Sequence, residues 1–155
     1  MPDISRSASF GKISPVAYKA IEGATVFCKM RGNPFVELQH WLVQILNAPD
    51  SDLHRIVRHF ELDTAALAAD LTQALDRLPR GASSISDISS FVDTAVERGW
   101  VYASLMFGER QIRTGHLLVG LLKTPSQRGA LLAISRQWDN CLLYTSPSPR
   151  DLSTS

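Results

Sequence analysis

The residue types able to do chemistry in this sequence are few and scattered. Gly115 and Gly120 stand at the G-x-x-x-x-G spacing of a phosphate-cradling loop, with Lys123 and Thr124 close behind. Such a loop needs lysine directly after the second glycine, so that its ammonium reaches the phosphates, and Leu121 stands there instead. The stretch also has helical spacing and no strand before it, so it reads as a core helix. His40 and His116 each open a short apolar run in matching contexts. A buried or capping hydrogen bond explains them more simply than metal ligation or general-base work does. His54 and His59 are five apart, off a common helical face, which argues against joint chelation.

Cys28 and Cys141, the two cysteines, are far apart and form no CxxC pair, which fits a reducing compartment, the cytoplasm. Cys28 lies on an apolar stripe and reads as a small packing residue rather than a nucleophile. Trp41 and Trp138 occupy positions that other apolar residues take elsewhere in the chain, so packing accounts for them; Trp100 is less settled. No catalytic, cofactor-binding or metal-binding residue emerges, and a small helical enzyme is the least favoured reading.

The chain has 155 residues, is 45% hydrophobic and carries a formal charge of +1, enough for one sizeable core and too balanced for nucleic acid or an anionic membrane. Its opening, MPDISRSASFGKIS, lacks the apolar stretch of a signal peptide, and no apolar run approaches the ~20 residues that span a bilayer. A soluble chain is expected. Apolar residues recur at helical spacing almost throughout, so the fold class is all-α. Ser14-Pro15 starts a helix whose face is Val16, Ala20, Ala24, Phe27 and Cys28 and which stops at Gly32. Val36 to Leu46 and Asp52 to Phe60 read as short helices, and Asp63 caps a fourth over Thr64 to Leu78. The stretch PRGASSIS, residues 79–86, has no periodicity and reads as a linker.

Beyond the linker the pattern repeats. VELQHWLVQILNAP, from Val36 to Pro49, lies over IRTGHLLVGLLKTP, from Ile112 to Pro125, at a constant offset that pairs His40 with His116. That offset also places Gly32 on Gly108, Cys28 on Ser104 and Val16 on Val92. After the prolines the register slips by two, pairing Leu53 with Leu131, Ile56 with Ile134 and Phe60 with Trp138. The expected organisation is a leader (1–13), a first four-helix repeat (14–78), the linker (79–86) and a second repeat (87–140) that lacks its last helix. LLYTSPSPRDLSTS cannot continue a helix, and 141–155 reads as a non-native, disordered tail resembling translated adaptor sequence.

Two four-helix repeats, each with a glycine stop before an H-W-L or H-L-L helix, resemble the double Clp N-domain that precedes the ATPase rings of Clp unfoldases, over roughly Ser14 to Asn140. Within that family VELQHWLVQIL, RHFELDTAALAADLTQALDRLPRG and ASLMFGERQIRTGHLL are similar to the ClpV (TssH) branch of type VI secretion. ClpB-type chaperones more often carry E-H-L-L-L-A-L in both repeats; here Gln39 and Gly115 precede the histidines. The resemblance implies a recognition domain for a short helix of the large sheath subunit, VipB or TssC. The parent would be a hexameric AAA+ ATPase that recycles contracted sheath, its ATP and Mg²⁺ held in modules outside this chain. An N-domain of ClpB, ClpA or ClpC type, binding adaptors or unfolded proteins, is the alternative. The implied mode is helix in groove, with Ala17, Ala20 and Ala24 permitting close approach, Phe10 and Ile13 forming a wall, and Phe91, Thr94 and Ala95 lying at the pseudo-symmetric junction.

Overall fold

The computed structural model describes residues 8–141. Residues 1–7 of the expected leader and 142–155 of the expected tail lie outside the described residues; Cys141, also expected in that disordered tail, is instead buried at the end of a 3-10 helix, where it packs into the core.

The architecture is all-α. Helix α1, Pro15–Arg31, starts where Ser14 accepts the Ala17 amide proton and proline takes the first turn. It ends at Gly32, whose φ of 70° lets its amide close on the carbonyls of Cys28 and Lys29. Helices α2 (Leu38–Asn47), α3 (Asp52–His59) and α4 (Thr64–Asp76) follow, with Ser51 and Asp63 capping the last two through the amides of His54 and Ala66. Helix α5, Ser90–Val101, is capped by Ser89 through Val92 and runs into a π turn over Tyr102–Met106. Helices α6 (Thr114–Lys123) and α7 (Pro125–Ile134) and a 3-10 helix, Arg136–Cys141, complete the described chain.

Two pieces of extended chain were not legible from periodicity. Strand β1, Phe35–Val36, pairs in parallel with β2, Asp87–Ile88, and Ile13 bridges in parallel to Ile112. Each pairing ties the segment before a repeat's long first helix to the segment before the short second helix of the other repeat. The non-helical stretch 79–86 is also pinned, since Ala82 donates to the Gly32 carbonyl and Ser86 to that of Pro34.

The π turn corrects the register between the two long helices. Ser14 to Gly32 is one residue shorter than Ser89 to Gly108, and a π turn absorbs one extra residue in a helix. Counted from the caps, Val92 therefore matches Ala17, not Val16; Gly99, not Trp100, matches Ala24; and Ala103, not Ser104, matches Cys28. Burial agrees: Ala17, Ala24, Cys28, Val92 and Ala103 are all inaccessible, whereas Val16 is 42% exposed. The shared offset of the α2 and α6 segments holds unchanged.

The core is continuous across both repeats, and Trp138, Ile56, Ile112 and Leu131 are among its fully buried side chains. Helices α5 and α6 pack closely where Gly120 faces the backbone of Arg98 and Gly99; a Cβ there would lie 3.0 Å from the Gly99 nitrogen. The glycines of the suspected phosphate motif are thus the buried interior of a packed helix.

Candidate functional site

The repeats meet through two helix starts that cap each other. Thr114 Oγ1, at the first position of α6, accepts the Leu53 amide of α3 at 3.2 Å, and Asp52 Oδ2 of α3 accepts the Gly115 amide of α6 at 3.4 Å. Carboxylates are favourable at helix N-termini because free N–H groups and the helix dipole point there. Asp52 is 2% exposed and further held by both nitrogens of an Arg113 fork, Nε at 2.8 Å, and by Arg55 at 2.9 Å. Arg55 also reaches Asp50 at 3.0 Å.

Beside this ion cluster lies a concavity of ≈ 800 Å³ lined by Ser14, Val16, Asp52, Arg55, Gln111 and Arg113, among others. A smaller concavity of ≈ 330 Å³ occupies the matching place at the other repeat junction, with Glu37, Leu78, Phe91, Ala130 and Ala133 in its lining. Repeat symmetry puts Phe91 where Val16 stands, Glu37 where Arg113 stands, and Ala130 and Ala133 where Asp52 and Arg55 stand. One junction carries the Asp52 ion cluster; the other keeps Glu37 and Arg77 in its lining but has alanines where Asp52 and Arg55 stand. Both present a hydrophobic side chain at the rim, Val16 at 42% and Phe91 at 38% exposure.

The expected groove residues do not share one surface. Ala17, Ala24 and Ala95 are inaccessible, and Ala20 and Ile13 are buried. These alanines bring α1 and α5 close to their neighbours; Ala17 lends its carbonyl to the Trp41 indole N–H at 3.1 Å. Phe10 and Thr94 are half-buried, and only Phe91 is exposed. The helical period marked the right faces, but period alone does not say whether an alanine stripe meets a neighbour within the domain or a partner.

The histidines are structural. His40 Nδ1 accepts the Glu37 amide and His116 Nδ1 the Arg113 amide, each at 2.9 Å, so each imidazole closes the start of its own helix. Nε2 of His40 donates to Asn33 Oδ1 at 2.8 Å, and Asn33 passes a hydrogen bond to the Pro79 carbonyl. Burial, with Arg31 adding, pushes the His40 pKa down to about 4, so the ring is neutral at pH 7. His54 lies between Ser51 Oγ and the Leu46 carbonyl, away from any shared site with the exposed His59. Burial raises the pKa of Cys28, whose thiol donates to the carbonyls of Asn33 and Phe35, and pushes that of Cys141 up to about 12; neither is a ready thiolate. Trp100 has Lys12 Nζ 5.3 Å from its ring centroid. Among the described residues no group of three His, Cys, Asp or Glu is placed to hold a metal, and no helix is long and apolar enough to cross a membrane.

Sequence reasoning missed Val16 as a rim residue, because its spacing of four from Ala20 grouped it with the buried face of α1. It also missed Asp52, whose cap role depends on a helix 61 residues away.

Residues 12–134 match the model of the Clp repeat N-terminal domain family. The chain is 66% identical over 138 residues to the AAA+ ATPase ClpV1 of Pseudomonas aeruginosa, covering 89% of this chain and 15% of that protein. The chain thus spans about 15% of the length of that relative. A solved structure from work on coevolution of the ATPase ClpV, the TssB-TssC sheath and the accessory HsiE protein is similar at 60% identity and a TM-score of 0.84, over 95% of this chain and 87% of that one. The fold is also shared, at 19% identity and a TM-score of 0.68, with a complex of a ClpV N-domain with a VipB peptide, over 85% of this chain and 84% of that one.

Proposed function

We propose, from the premise that this chain belongs to the Clp repeat N-terminal domain family, that it is the partner-recognition domain of a ClpV-like AAA+ ATPase and binds a helix of the large type VI sheath subunit. The observation that carries this reading is the high identity to the N-terminal part of ClpV1 across nearly the whole chain. The same reading assigns 14–78 and 87–140 to two repeats joined by 79–86, and leaves ATP and Mg²⁺ to modules beyond this one.

The partner helix lays its apolar face on the junction beside α1, against Val16. Phe10 and Ile13 hold the leader at that place, Ile13 through its bridge to Ile112. Ala17, Ala20 and Ala24 shape the groove from beneath, and Ala95 does so for Phe91 and Thr94 at the matching junction. Weak binding by one domain suffices when six copies on a ring act on a polymer, because each contact raises the effective concentration of the next.

The test is fluorescence anisotropy with a labelled peptide from the start of a cognate large sheath subunit. Saturable binding is expected, weakened by Val16→Glu roughly tenfold or more. Val16 is suited to this because its side chain is exposed; Ala20→Glu would force a carboxylate into the core. Absence of saturable binding would sink the proposal, and equally tight binding of unrelated unfolded peptides would favour a general chaperone N-domain.

A further inference from the structure

The first repeat carries an apolar groove that the junction reading does not use. Along α4, Thr64, Leu67, Ala68, Leu71, Thr72 and Leu75 recur at spacings of three and four and line one wall of a concavity of ≈ 510 Å³. At 1.5 Å rise per residue that wall runs for about 16 Å, or three turns. Val43 and Leu46 of α2 and Val57 of α3 face it, and Phe27 of α1 closes one end. Leu67, Leu71, Leu75 and Val57 are buried as its floor, while Thr64, Ala68 and Thr72 are small and exposed at its edge. Four helices therefore line a trough with the length and side-chain period of a fifth.

Charge selects the occupant. Arg31, His54 and Arg58 line the groove, and among the described residues no aspartate or glutamate does. His54 is used internally by Ser51 and Leu46. Arg31 gives one terminal nitrogen to Asp76 at 2.9 Å, yet among the described residues its buried Nε has no hydrogen-bond partner. Arg58, in the last turn of α3, is exposed. A buried guanidinium N–H without an acceptor is costly, and a carboxylate is its natural complement.

We propose that this groove is a second docking site, separate from both junction concavities, and that it takes an acidic amphipathic helix of about three turns from a partner protein. Apolar side chains at positions i, i+3/i+4 and i+7 enter the leucine floor, and flanking carboxylates meet Arg31 and Arg58.

The experiment uses the whole chain and a fluorescein-labelled helical peptide of about 14 residues with leucines on one face and glutamates on the flanks. The expected result is saturable binding, at least roughly tenfold weaker for the same peptide with lysine replacing glutamate. Ala68→Trp, which fills the groove from an exposed position, abolishes it, and Arg58→Glu weakens it by a similar factor. Both variants keep the wild-type melting curve and the affinity for the sheath-subunit peptide. Failure of the junction reading would show as loss of the sheath-peptide signal alone. No saturable binding of the acidic peptide, equal binding of its lysine counterpart, or indifference to Ala68→Trp overturns the second site. Saturable binding of dodecanoate without peptide binding overturns it as well, in favour of an acyl ligand.

Discussion

His40 and His116 do at two helix starts what glutamate does in an ordinary capping box: a side chain three residues into the helix reaches back to the cap amide. Imidazole can do this only while Nδ1 is unprotonated. The folded His40 titrates at about 4 against 6.5 for a free side chain, so between those values the unfolded chain binds the additional proton. Stability is therefore full above pH 6.5 and falls as pH drops toward 4, by no more than about 3 kcal/mol from this residue. Urea denaturation at pH 7 and at pH 4.5 should show the difference. His40→Ala should cost about 2 kcal/mol at pH 7 and flatten the slope; an unchanged slope would mean that other groups govern it. The repeat made these histidines conspicuous and their position near a helix start made capping the simplest role. Asn33, which orients the His40 ring, has no local pattern that marks it for that role.

At the scale of elements, the repeat is inexact in ways that packing explains. The π turn after α5 stores the extra residue that shifts the long helices out of a single register. A sequence comparison anchored on the α2 and α6 segments cannot place that residue, because it carries one constant offset back through the whole of the long helix. The contact at Gly120 is equally specific. A methyl on Gly120 would press on backbone rather than on a side chain able to turn aside, so Gly120→Ala should destabilise by about 1–3 kcal/mol. Gly129, in α7, has nothing within 4 Å of an added Cβ, and Gly129→Ala should leave the protein unchanged or more stable by up to about 1 kcal/mol. Thermal melts of the two variants moving the same way would refute this account of the α5 and α6 approach.

At the scale of the whole molecule, Asp52 joins the halves. It is almost fully buried, neutralised by two arginines, and placed at the start of α6 while belonging to α3. Removing one partner of such a pair leaves the other charge uncompensated, so Asp52→Ala should cost about 3 kcal/mol in chemical denaturation. Arg55→Ala should cost less, because that side chain is more exposed and Arg113 remains. Reversal of that order would place the coupling elsewhere. The opposite junction has alanines in these positions, so the two repeats are joined asymmetrically, with a buried ion cluster at one recess and none of its carboxylate or Arg55 at the matching positions of the other.

By itself the sequence determined the helices, the repeat and the family, because caps, glycine stops and a 3.6-residue period are local properties written along the chain; Val36, expected to open a helix, instead pairs in strand β1, and Leu78 lies beyond the end of α4. The recognition surface was a tertiary decision. Burial depends on which neighbour an apolar face meets, so Ala17, Ala20 and Ala24 became interior while Val16, one residue away, reached the surface. The pairing of Asp52 with Arg113, the parallel strand pairs and the trough beside α4 exist only once distant segments meet, and no local pattern encodes such meetings.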